Sequence, residues 1–126
     1  MKKWVAALCI LAGITIGIGC CHIYLHRVTD SLAQTVAAAA RDEHAGKTQQ
    51  AKQELDAFNR DWDKNREIIS TFIRHSELDL VNQSMEKLEP LSGGEDKAQF
   101  YAECETLEMQ LKHLYDVERF TLGNVF

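Results

Sequence analysis

The sequence predicts an all-α fold: an N-terminal transmembrane helix followed by an antiparallel bundle of about four helices, arranged as two helical hairpins. Three observations predict it. Residues 4–25 hold no Asp, Glu, Lys or Arg. Residues 48–74 hold no Gly or Pro, and their apolar side chains fall on one helical stripe. From position 28 onward apolar residues recur in steps of three and four, and no segment alternates as a strand would.

The first element is the anchor. About 22 uncharged residues are enough to cross a hydrocarbon core of about 30 Å. Lys2 and Lys3 precede them, Trp4 and Tyr24 stand at interfacial positions, and His26 and Arg27 follow. The excess of positive charge before the span predicts a cytoplasmic N-terminus and an extracytoplasmic domain. The expected division is therefore 1–27 as anchor and 28–126 as domain. The rival reading is a cleaved lipoprotein signal with Cys20 as the modified residue. Against it, the apolar run is long for a signal peptide, and Gly17 stands where Leu is usual. Gly13, Gly17 and Gly19 form a small-residue series of the kind that permits close helix contact in a membrane.

No Gly or Pro separates Leu25 from Arg41, so the spanning helix is expected to run straight into the domain. Val28, Leu32, Val36 and Ala39 or Ala40 are its apolar line, and Gly46 suits a left-handed stop. Thr48 is the expected cap of the next helix. That helix, read over 48–74, organises the domain. Ala51, Leu55, Phe58, Trp62, Ile69 and Phe72 make a coiled-coil-like seam, with Asn65 as its polar member. Trp62 reads as a core anchor, and Asn65 as a residue that sets helix register at a cost in stability. Ser76 is the expected cap of a third helix carrying Leu78, Val81, Met85 and Leu88, stopped by Pro90 and Gly93-Gly94. Glu95 and Asp96 open a fourth, striped by Phe100, Cys104, Leu107, Leu111 and Leu114. The apolar ending, 120–126, predicts a turn that folds back onto the bundle.

Charge and cysteines narrow the function. Lys2, Lys3 and Arg27 carry the only formal charges before position 28, giving +3. The other 11 basic residues against all 19 acidic ones leave −8 for the rest. An acidic domain with scattered bases does not suit nucleic acid. Cys9, Cys20 and Cys21 lie in the anchor, so Cys104 has no disulfide partner in the domain, and its place on an apolar stripe predicts an inert thiol. There is no Gly-rich phosphate loop and no Glu-x-x-His motif. No cofactor is expected. His75 with Asp79, and His113 with Asp116, share helical spacing and would make a transition-metal site if their faces met.

The run Trp62-x-Lys64-Asn65, then Phe72-Ile73-x-His75-x-Glu77-Leu78-Asp79, then Ser84 and Leu88, resembles the bacterial domain-of-unknown-function family 4363. The ending Glu118-x-x-Thr121-Leu122-x-Asn124-Val125-Phe126 is similar to that family's close, with Thr121 and Gly123 as mild departures. The resemblance implies a small envelope-associated protein of spore-forming, Gram-positive-type bacteria, with no established catalytic activity to carry over. It singles out Trp62, Asn65, His75, Glu77, Asp79, Glu118 and Asn124 as a structural or interaction motif. Glu118 pairing with His75 or Lys64 would lock the tail, and Thr121 and Asn124 would cap it. The expectation is a non-enzymatic interaction module in the bacterial cell membrane, accessory to another membrane or envelope protein. The alternatives are a metal-binding or enzymatic bundle and a structural homo-oligomer.

Overall fold

The computed structural model describes residues 1–71 and 73–125, with residues 118–125 described in their backbone alone. Through them run four helices: α1 (Lys2–His44), α2 (Thr48–Ile69), α3 (His75–Leu91) and α4 (Lys97–Val125). No strand occurs among the described residues. α1 packs along both α2 and α4, and α4 packs along α3, whereas α2 and α3 scarcely touch. The two hairpins are thus joined through α1 and α4, leaving a cleft between α2 and α3. One end of the bundle, the crown, carries the 45–47 and 92–96 turns. The other end, the foot, carries the 70–74 connection.

α1 is a single helix of 43 residues, roughly 65 Å long at 1.5 Å per residue. The expected continuity is present. Its first half is bare, with Trp4 78%, Leu8 65% and Ile14 54% exposed. From Leu25 it enters the core, where Leu25, Leu32, Val36 and Ala39 are buried. The bare part is long and apolar enough to cross a membrane. The expected stripes close the core: Ala51, Leu55, Phe58, Trp62 and Ile69 on α2, Leu78, Val81, Met85 and Leu88 on α3, and Phe100, Cys104, Leu107, Leu111 and Leu114 on α4.

The ends differ from expectation. α2 stops at Ile69 rather than Arg74. The hydroxyls of Ser70 and Thr71 donate to the carbonyls of Glu67 and Ile68, both at 2.6 Å, and so satisfy helix-end acceptors without another turn. Ile73 is buried in the connection, and Phe72 lies outside the described residues. Thr48 is not the cap of α2; Lys47 holds that position, and Thr48 turns its hydroxyl to Glu43 instead. Nor does Ser76 cap α3, which begins at His75 after an extended Arg74. Pro90 sits inside the last turn of α3, where its missing N–H leaves the Glu86 carbonyl without a helical donor, and the helix ends one residue later at Leu91. Asp96 does cap α4, accepting from the Gln99 N–H at 3.0 Å. The expected closing turn is absent: the backbone stays helical to Val125. A lone Gly123 weakens a helix by only about 1 kcal/mol, so it does not stop one.

Candidate functional site

The cleft between α2 and α3 collects three of the seven singled-out motif residues: Trp62, His75 and Asp79. Its foot half is a cavity of about 350 Å³ lined by Arg66, Glu67, Ser70, His75, Leu78, Asp79 and Asn82. Its crown half, about 300 Å³, is lined by Lys52, Leu55, Asp56, Asn59, Met85, Glu89 and Ser92. Trp62 bridges the cleft: buried at 2% exposure, it donates its indole N–H to Asn82 Oδ1 at 2.7 Å. Phe58 stacks beside it with ring centroids 6.4 Å apart. The expected core role of Trp62 is what the structure shows, with a polar tie to α3 that the spacing alone did not reveal.

The remaining motif residues tie helices together. Asn65 accepts from the Tyr24 hydroxyl of α1 and donates to the Asp61 carbonyl at 2.7 Å, fixing α2 against α1 at one height. Glu77 stands 3.7 Å from His113 of α4. Ser84, buried on α3, donates to Gln110 Oε1 of α4 at 2.7 Å. His75 and Asp79 are exposed on the cleft wall. The side chains of Glu118, Thr121 and Asn124, and with them the tail lock and cap, lie outside the described residues.

The metal arrangement is not brought together. His113 faces Glu77, while Asp116 lines a different hollow with His26, Asp30, Lys112 and Tyr115 between α1 and α4. The pairs stand apart because α3 presents His75 and Asp79 on its α2 side, whereas on α4 His113 lies by Glu77 and Asp116 lines the α1 side. Among the described residues no three His, Cys, Asp or Glu side chains cluster as metal ligands. Cys104 is fully buried, and burial, with Glu108, Glu43 and Glu103 nearby, pushes its thiol up to about 12. That is the opposite of a nucleophile's setting.

Two features escaped the sequence reading. Glu43, 2% exposed, sits at the crown and accepts from the Gly93 N–H at 3.2 Å and the Thr48 hydroxyl at 3.4 Å. It binds the end of α1 to the start of α2 and to the 92–96 turn. A signal existed: Glu43 lies four residues past Ala39 and three past Ala40, on the apolar line itself. Near the foot, Tyr115 packs between His22 and His26, with ring centroids 4.9 and 4.7 Å away, and its hydroxyl meets His22 Nε2 at 2.9 Å. Nothing in a single sequence pairs residues so far apart.

A model for a domain of unknown function (DUF4363) matches residues 21–125. The chain belongs to this family. No curated protein and no solved structure matches it significantly. The DUF4363 match opens at Cys21, beside His22, where α1 meets α4. It therefore covers the bundled part of α1 and the three helices packed on it.

Proposed function

We propose that this DUF4363 chain is a non-enzymatic accessory protein of a bacterial envelope. It crosses the membrane once with its N-terminus in the cytoplasm, and it offers the α2–α3 cleft outside to another membrane or envelope protein. The carrying observation is α1: one helix passes without a break from a bare apolar rod into the heart of the bundle. The positive start, Lys2 and Lys3, supports the orientation. The cleft supports the interaction role, because α2 and α3 scarcely touch, the Trp62–Asn82 bond apart, and leave mixed polar and apolar walls open. Its ionisable groups Arg66, Glu67, His75 and Asp79 are exposed, the solvated setting of a binding face.

The test is crosslinking in native membranes followed by capture of the full-length chain, beside an Asp56→Arg/Asp79→Arg variant that recharges both halves of the cleft. A stoichiometric membrane protein captured by the wild type and lost by the variant is the expected result. Recovery of the chain alone, or only with copies of itself, contradicts the accessory role.

A further inference from the structure

The two walls of the α2–α3 cleft differ in charge. On α3, Asp79, Asn82, Glu86 and Glu89 follow one another in steps of three and four, so they share one helix face. Asn82 meets Trp62 of α2, and Asp79 and Glu89 line the two cavities, so that face is the cleft wall. It holds three carboxylates and no Lys or Arg. Lys87, five residues from Asn82, falls off this row. On α2, Lys52, Asp56, Asn59, Asp63 and Arg66 keep the same spacing, and Glu67 joins them near the foot. Six acids against two bases give the cleft −4, half of the −8 carried by residues 28–126. All eight of these charged side chains are exposed. Among the described residues the carboxylates of Asp79, Glu86 and Glu89 have neither a hydrogen-bond nor an ion-pair partner. They stand within ten helical residues, about 15 Å, and repel one another.

We propose that the occupant of the cleft is a basic segment of the partner protein, its Lys or Arg side chains set along the α3 wall. This rests on the docking role given to the cleft above and names the chemistry of what docks. A cationic segment supplies the charge that this wall lacks, and it relieves the repulsion among Asp79, Glu86 and Glu89 as it binds. An acidic segment adds to that repulsion, and a purely apolar one covers the carboxylates without pairing them, so both are selected against. The balanced α2 wall contributes less, because Lys52 and Arg66 already offset two of its acids.

The experiment uses the full-length chain in phosphatidylcholine nanodiscs, with Trp4→Phe so that Trp62, bonded across the cleft, is the remaining Trp. The probes are two short Ala-rich helical peptides, one with Lys along a single face and one with Glu in the same places, each carrying a nitroxide. The expected result is that the Lys peptide binds and quenches Trp62, and the Glu peptide does neither. Asp79→Asn/Glu86→Gln/Glu89→Gln should weaken binding of the Lys peptide about tenfold. Asp30→Asn/Glu105→Gln/Asp116→Asn, which removes as many exposed acids from α1 and α4, should weaken it by less than about threefold. Equal weakening by the two triple variants, or binding that leaves Trp62 unquenched, means that overall charge holds the peptide and overturns the proposal. Quenching by both peptides alike keeps the cleft as a docking face and overturns the basic partner. Binding of neither peptide also overturns the basic partner, while the accessory role is decided separately by the capture experiment. The quenching comparison needs no change in the cleft, so it decides the matter should the cleft variant fail to fold.

Discussion

At the scale of single residues, three buried groups set the behaviour of the bundle. Glu43, itself buried, accepts from the Gly93 N–H of the exposed 92–96 turn, and removing it breaks the tie between α1 and that turn. Glu43→Ala should therefore cost about 1–3 kcal/mol, read as a lower urea midpoint of the full-length chain. Trp62→Phe keeps the packed ring but loses the bond to Asn82, which is worth about 0.5–1.5 kcal/mol. Trp62→Ala empties the core as well and should cost about 3–5 kcal/mol. Cys104 gives a pH dependence with a definite sign. Its thiol is raised from 9.0 to about 12 in the folded chain, so the unfolded chain ionises first as pH rises. The stability that this group contributes is fully present below pH 9 and is lost progressively toward pH 12. The stability of Cys104→Ala should decline less over that window. An equal decline in both proteins would show that the thiol is not responsible.

At the scale of elements, the stripes were legible and the ends were not. Period-three-and-four spacing located the buried faces of α2, α3 and α4, because burial of a stripe is what makes those helices stable at all. Leu25 was assigned to the anchor although it is a core residue, since an apolar side chain reads the same facing lipid or protein. Helix ends were misjudged where side chains made other bonds: Thr48 serves Glu43, and Ser70 and Thr71 serve the closing carbonyls of α2. The cleft was invisible, because it depends on how far apart two helices stand beyond the Trp62–Asn82 bond. The crown turns separate the roles of two glycines. Gly46 and Gly93 both have positive φ, 79° and 78°. A Cβ at Gly46 meets nothing within 4 Å, while one at Gly93 would lie 3.1 Å from Thr48 Cγ2. Gly46→Ala should cost about 1 kcal/mol from backbone strain alone. Gly93→Ala should lower the melting temperature further, because it also presses on the turn that Glu43 holds.

At the scale of the whole molecule, the account rests on α1 as one rigid rod shared by membrane and bundle. Rigidity has physical sources: an uninterrupted hydrogen-bonded helix, the Tyr24–Asn65 bond to α2, and the tilted ring contacts of Tyr115 on α4 with His22 and His26. In the proposed single-span arrangement a rod of this kind would transmit the position of the cleft to the membrane and the reverse, which a flexible tether would not. The most direct measurement is the distance between spin labels at Ile14 and Gln34 in lipid bilayers. Both positions are exposed on α1, and Cys9, Cys20 and Cys21 would first be replaced by Ala. Twenty helical residues predict a single narrow distance of roughly 30 Å. A broad distribution, or a markedly shorter mean, would place a hinge between anchor and bundle and contradict the account.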